Sequence, residues 1–372
     1  MAGLDDILQR HRVIICAGSG GVGKTTTAAA LALRAALGGR RTVVLTIDPA
    51  KRLANALGIN SVGSTVSAVP IPGMPRGQLS AMMLDQKGAW DELVARHAPS
   101  EEIRARILNN NFYQHLSQSF AGSQEYMAIE QLCELHASGL YDLVVVDTPP
   151  TRHALDFLEA PRRIADFLDR RIVKWFVRPY FSAGWATLRL VNRTAGFLFR
   201  RLEDATGISA LVEVSDFFTS MSSLFENFEP RVHRVYSLLR SHETAFVLIA
   251  SPEEQVLGEA EYFCRKVREL HMSLRAVVFN RVHRELLGDQ QRLTPAEITA
   301  TIARLVGEPT LGHALADNFN RYEMLGRGDT LRMEAFRRLL SKTVTVVEVP
   351  NLTSDIHSIA DLRAMHAFLF AA

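Results

Sequence analysis

Residues Val13 to Thr25, VIICAGSGGVGKT, decide the fold. Val13 to Ala17 are a short apolar run rich in β-branched residues, which predicts a buried strand. The loop Gly18-Ser-Gly-Gly-Val-Gly-Lys-Thr25 follows, and then TTAAALALRAAL, an alanine-rich stretch that predicts a helix. Strand, glycine loop and helix in that order are the setting a phosphate-binding loop requires. Its glycines let backbone N–H groups curl around phosphate oxygens, and the helix N-terminus adds a partial positive charge. On this reading Gly20, Gly21, Val22, Gly23, Lys24, Thr25 and Thr26 cradle the phosphates of ATP. Lys24 reaches the β- and γ-phosphates, and the Thr25 hydroxyl ligates Mg2+.

Two further strands extend the pattern. Thr42 to Ile47 end in Asp48-Pro49-Ala50, and Leu143 to Val146 end in Asp147-Thr148-Pro149-Pro150. Ligands of an open parallel sheet sit at the carboxyl ends of its strands, so both aspartates fall at the edge where the glycine loop opens. Asp147 reads as the carboxylate that holds Mg2+ through water, and Asp48 as the group that positions and polarises the attacking water. Each aspartate also suits a helix N-cap or a turn. The fold class expected is α/β: a doubly wound, mainly parallel sheet of the P-loop NTPase kind, carrying an inserted α-helical subdomain.

The segments GSGGVGKTT, TIDPAKRLANALG and VVDTPPTRHALDFLEAP resemble, in order and spacing, the ArsA/GET family of ATPases within the MinD-like P-loop class. LSAMMLDQKGAW, ASPEEQ, VVFNRV and VEVPNL continue the resemblance through most of the α/β portion. It implies ATP hydrolysis with Mg2+, with Asp48 and Lys24 as catalytic residues. Asp48 and Pro49 would lie in switch I. Switch II would run from Asp147 through Thr148, Pro149 and Pro150 to His153. Asn280 falls where the family recognises adenine, and Pro350, Asn351 and Leu352 where a loop closes over the base. Read on its own, Asn280 ends an apolar strand at the same sheet edge, which a turn-forming asparagine would also do. The guanine-reading NKxD pattern is absent, since Arg-Val-His follows Asn280, and this favours ATP.

The chain departs from the family pattern in four ways. Ser19 stands where the family's deviant loop has a lysine that crosses to the partner's phosphates. No CxxC offers an intersubunit zinc site. A single P-loop and no internal repeat argue against a duplicated pump chain. Finally, an arsenite site needs converging thiols, and Cys16 is expected inside the first strand while Cys264 falls on the helix after SPEE, which argues against one. The resemblance implies a dimer, and Ser19 leaves two versions: a homodimer with weak turnover, or a heterodimer with a lysine-bearing paralogue. In the latter this chain acts as a low-turnover regulatory subunit.

The organisation expected is one P-loop ATPase domain over 1–372, with helical insertions at 87–138 and 160–241. These occupy the positions where the family builds its client-binding subdomain. Between Arg162 and Arg201 ten Arg or Lys face two Asp, interleaved with Phe167, Trp175, Phe176, Tyr180, Phe181, Trp185, Phe197 and Phe199. Such a segment suits an apolar ligand, a membrane surface or an acidic partner, its helical spacing equally suits the core of a bundle, and the resemblance adds a hydrophobic protein client as an occupant. Net charge is +2, too balanced for a nucleic-acid coat or a polybasic membrane anchor, so no nucleic-acid partner and at most peripheral membrane contact are expected. The N-terminus lacks an apolar signal-peptide core, and three scattered cysteines fit a reducing compartment, so a cytoplasmic location is expected. His97, His115, His233 and His357 show no metal-ligand spacing. The last helix, Ser358 to Phe370, is expected to pack on the sheet rather than on a membrane.

Overall fold

The computed structural model describes residues 3–48, 51–75, 77–119, 123–149, 159–160, 217, 220, 228–287, 294–352 and 354–371. Pro49, Pro150 and His153 lie outside the described residues, as does the aromatic and basic segment from Arg162 to Arg201. The chain divides into two compact units. One comprises Met1–Met83, Leu135–Leu155 and Arg240–Ala372; the other comprises Leu84–Glu134 and Asp156–Leu239.

The first unit is built on one eight-stranded sheet. Its strands are β1 (Val13–Ala17), β2 (Thr42–Thr46), β3 (Ser67–Ala68), β4 (Leu79–Met83), β5 (Leu143–Asp147), β6 (Thr244–Ala250), β7 (Leu274–Val282) and β8 (Thr345–Pro350). The spatial order is β3-β4-β2-β5-β1-β6-β7-β8. Every neighbouring pair is parallel except the short β3–β4 pair at one edge. β1, β2, β5 and β6 are buried along their whole length, which is why they read as continuous apolar runs rather than as alternating ones.

Chain order and spatial order diverge at the centre, where β5 lies between β1 and β2. In register, Asp147 stands opposite Cys16 on one side and Thr46 on the other. The loop after β1, the end of β2 and the end of β5 therefore share one stretch of the carboxyl edge.

Helices cover the sheet: α1 (Leu4–Arg10), α2 (Lys24–Leu37) and α3 (Arg52–Leu57) come early in the chain. The alanines of α2 are almost wholly buried, and their small side chains let that helix lie close on the sheet. In the second unit, α4 (Gln86–His97), α5 (Glu101–Leu108) and α6 (Asn111–Ser119) lead to α7 (Ser123–Ala137), with α8 (Phe228–Arg240) closing it. Asp85 and Ser100 cap α4 and α5 by accepting the N–H groups of Gly88 and Ile103. Trp90, Ile107, Tyr113, Met127, Ile129 and Leu132 are fully buried there, and the Tyr113 hydroxyl donates to Asp91 at 2.7 Å.

The remaining helices return to the first unit. α9 (Glu254–Glu269) joins β6 to β7; α10 (Pro295–Val306) and the 29-residue α11 (Pro309–Arg337) pack together between β7 and β8; α12 (Ile359–Leu369) ends the chain. A capping box of Thr294 and Glu297 with Pro295 starts α10. The final helix seats on α2 and β8, in line with the expectation that it packs on the sheet. Among the described residues no helix is long and apolar enough to cross a membrane.

Candidate active site

The loop from Gly18 to Lys24 leaves the carboxyl end of β1 and delivers its lysine as the first residue of α2. Gly23 caps that helix with φ of 92°, a left-handed conformation that glycine adopts without strain. A Cβ there would also come within 2.3 Å of Asn280 Nδ2. Gly20 and Gly21 are exposed at the tip, whereas Val22 and Lys24 are buried. The Lys24 ammonium donates to the carbonyl of Ser19 at 2.8 Å, bending the side chain back over its own loop. Burial lowers the pKa of Lys24, and Asp147 and Asp48 pull it partly back.

Asp147 closes the other side. Its Oδ2 accepts the hydroxyls of Thr25 at 2.8 Å and Thr46 at 2.9 Å. Its Oδ1 is buried and has no hydrogen-bond partner among the described residues. Burial raises its pKa to about 6, against the two hydroxyls and Lys24, which lower it. An orphaned carboxylate oxygen is costly in such a setting, and its cost falls when a donor or a cation reaches it. No group of three His, Cys, Asp or Glu side chains converges among the described residues. One hydroxyl and one carboxylate beside a phosphate cradle do, and that is the donor set suited to a hard cation that completes its shell with phosphate oxygens and water.

Asp48 follows β2 on the same edge. Its Oδ2 lies 3.3 Å from Arg52, one turn into α3, and its backbone N–H donates to the Thr46 hydroxyl at 3.3 Å. Thr148 is buried; its hydroxyl donates to the carbonyl of Cys16 at 2.8 Å, tying the segment after β5 to β1.

Asn280 lies within β7, which runs two residues further, to Val282, than the apolar pattern alone indicates. Its side-chain amide donates to the Val22 carbonyl at 2.8 Å and so braces the glycine loop. Pro350 ends β8, and the N–H of Asn351 donates to the carbonyl of Val282 at 3.0 Å, placing Asn351 and Leu352 beside the end of β7. Thr26 lies half-buried in the first turn of α2.

Sequence reasoning passed over two contributors. Thr46 reads as one more strand residue until the register sets it beside Asp147. Glu259, on α9, accepts the Ser19 hydroxyl at 2.6 Å across a separation of 240 residues, a partnership with no local sequence signal. The three thiols are free; burial raises the pKa of Cys16 in β1, and pushes Cys133 and Cys264 up to about 12.

A glycine loop between a central parallel strand and a helix, with lysine, threonine and an apposed strand-end aspartate, defines a P-loop NTPase. Residues 11–295 match the model of the ArsA ATPase family, described as anion-transporting ATPases. The chain is 28% identical over 282 residues to the ATPase GET3 of Malassezia globosa, covering 75% of this chain and 76% of that one. It is also 28% identical over 273 residues to the ATPase get3 of Aspergillus terreus, covering 73% of each. A match to the ATPase GET3 of Podospora anserina is shorter, 33% identical over 160 residues, or 42% of this chain and 46% of that one. The chain belongs to the ArsA ATPase family and is an ATP-hydrolysing enzyme.

Proposed function

We propose that this ATPase is a nucleotide-driven switch whose hydrolytic centre is Lys24, Thr25, Asp48 and Asp147, and whose state governs a helical partner-binding region. The observation that carries the reading is the convergence of Lys24 and Thr25 with Asp147 at one stretch of the sheet edge, where one buried oxygen of Asp147 has no partner among the described residues. On this reading the loop from Gly20 to Thr26 binds the phosphates of ATP. Lys24 keeps one N–H on the Ser19 carbonyl and turns its other two towards phosphate oxygens, which neutralises charge as the bond to the γ-phosphate breaks. Asp48 positions and polarises the attacking water, so hydrolysis needs no covalent intermediate. The Thr25 hydroxyl and, through water, Asp147 would hold Mg2+, which would supply further neutralisation of the phosphates.

Asp48–Pro49 and Asp147–His153 form the two switches in this scheme, and Thr148 links the second to β1 through Cys16. The base lies near Asn280 and Pro350–Leu352. The insertions 87–138 and 160–241 carry the site for an apolar ligand or hydrophobic protein client, supported by the aromatic and basic composition of the second. The working form is a cytoplasmic dimer.

Steady-state ATP turnover of the purified chain beside Asp48→Asn tests the catalytic part. Loss of a positioned base lowers turnover by roughly a hundredfold or more; a variant equal to wild type removes Asp48 from the mechanism. Ser19 supports a second reading, a low-turnover subunit paired with a lysine-bearing paralogue. Tight ATP binding without turnover, restored on adding such a paralogue, distinguishes it from the homodimer.

A further inference from the structure

We infer that Glu259 is a positioning residue for the phosphate loop: by accepting the Ser19 hydroxyl it fixes the peptide whose carbonyl holds the Lys24 ammonium. The inference rests on the nucleotide-site reading above and adds a residue to it. The chain of contacts is short. Glu259 Oε2 accepts from Ser19 Oγ at 2.6 Å, and Lys24 Nζ donates to Ser19 O at 2.8 Å. The first distance is that of a hydroxyl bound to a carboxylate, the stronger class of hydrogen bond.

Packed elements hold the contact on both sides. Ser19 is 7% exposed, and Lys24 is 8% exposed. Glu259 stands on α9, a 16-residue helix anchored by the buried Leu257, Ala260, Phe263 and Val267. α9 follows β6, and β6 pairs directly with β1, the strand that launches the loop. A carboxylate on this helix therefore acts from a fixed base on the first turn of the loop, while Asn280 acts on Val22 further along it.

The arrangement has a physical purpose. A long lysine side chain loses rotamer freedom when it is brought to a phosphate, and a site that pre-orders it lowers that cost on binding. A carboxylate beside a phosphate site also opposes an anionic ligand, so Glu259 works against binding by charge and for it by geometry. The inference commits to geometry. Once ATP is bound its phosphates hold Lys24, so the effect falls on nucleotide affinity rather than on the chemical step.

The test measures Kd for ATP and the kcat and KM of the full chain carrying Glu259→Ala, Glu259→Gln, Ser19→Ala and the Glu259→Ala/Ser19→Ala pair. Thermal unfolding checks that each variant is folded. Loss of one hydrogen bond to a charged group predicts a rise of about tenfold in Kd and KM for each alanine variant, with kcat within about twofold of wild type. The double variant matches the singles, because both remove the same bond. Glu259→Gln keeps an acceptor and stays within about twofold of wild type.

Three results overturn the inference: independent effects that multiply in the double variant, Glu259→Gln equal to Glu259→Ala, or tighter ATP binding by Glu259→Ala. The last would mean that the carboxylate only repels phosphate. Wild-type chain that binds ATP but does not turn it over contradicts the hydrolytic reading and leaves the affinity comparison to decide this one. Wild-type chain that does not bind ATP overturns both.

Discussion

The side-chain amide of Asn280 donates a 2.8 Å hydrogen bond to the carbonyl of Val22, stitching β7 to the middle of the glycine loop. The same amide nitrogen occupies the space that any side chain at Gly23 would need, 2.3 Å from an added Cβ. The two positions are therefore one device. Asn280→Ala leaves the Val22 carbonyl without this donor and weakens ATP binding by roughly tenfold, the cost of one lost part-buried bond. Gly23→Ala does more harm, because it adds a left-handed strain to the clash. Isothermal titration with ATP ranks them: wild type tightest, Asn280→Ala intermediate, Gly23→Ala weakest. If Gly23→Ala binds as well as wild type, the contact does not govern the loop.

The backbone of this site was legible because short-range chemistry encodes it. The apolar run, the glycines, Lys24 and the alanine helix are contiguous, and the strand-end aspartates are marked by the β-branched residues before them. The central sheet strands were legible for the same reason. What stayed hidden depends on the order of strands in space. Thr46 joins Asp147 only because β5 inserts between β1 and β2, and no periodicity within either strand announces that. Glu259 is the extreme case, since Ser19 and its acceptor are 240 residues apart. The carboxylates of α11 were missed because a polar residue on a long helix ordinarily faces water, whereas Glu323 and Asp329 are buried against loop backbone.

Asp147 carries a cost in stability at neutral pH. Burial raises its pKa from 3.8 to about 6 in the folded chain. A carboxyl with a raised folded pKa contributes stability that is fully present below the unfolded value and lost as pH rises through 6. At pH 7.5, without nucleotide or cation, the ionised group thus costs about 3 kcal/mol. Asp147→Asn removes that charge, so in chelator its Tm at pH 7.5 rises by a few degrees while ATP turnover is lost. The gain shrinks as pH falls towards 4. A variant whose Tm is unchanged or lower at pH 7.5 contradicts the account.

α11 is held to the end of β7 by its acids. Asp329 is 4% exposed and accepts the backbone N–H and Nδ1 of His283, at 2.9 and 2.8 Å, with Arg332 on its other oxygen at 2.7 Å. Glu323, earlier on the same helix, accepts the N–H groups of Leu286 and Leu287. Arg332 reaches the Pro252 carbonyl at 2.6 Å, so the loop after β6 is tied to the same helix. Asp329→Ala leaves the His283 donors without their acceptor, while the half-exposed Arg332 keeps the Pro252 carbonyl, and it is expected to cost about 2 kcal/mol in denaturant unfolding. Asp329→Asn keeps one acceptor and loses about half as much. Equal stability for all three chains would mean that the helix does not depend on these bonds.

The C-terminal helix carries an acid-sensitive fastening. His366 is buried, its Nε2 is bonded to the Ala30 carbonyl of α2 at 2.9 Å, and its ring meets Phe370 edge-on. Burial lowers its pKa below 6.5, outweighing the hydrogen bond, which raises it; Arg34 and Arg363 lower it further and Asp5 opposes them. The sign is opposite to that of Asp147 in its consequence. A base with a depressed folded pKa contributes stability that is present above the unfolded value and lost as pH falls through the folded one. Acidification from pH 7 to 5 therefore loosens α12 from α2. His366→Gln keeps a donor for Ala30 but cannot take up a proton, so its Tm declines less steeply over that range than wild type. His11, also buried with a lowered pKa, still titrates in the variant and leaves part of the slope. Parallel Tm–pH curves for the two chains would rule out His366 as a source of the acid sensitivity.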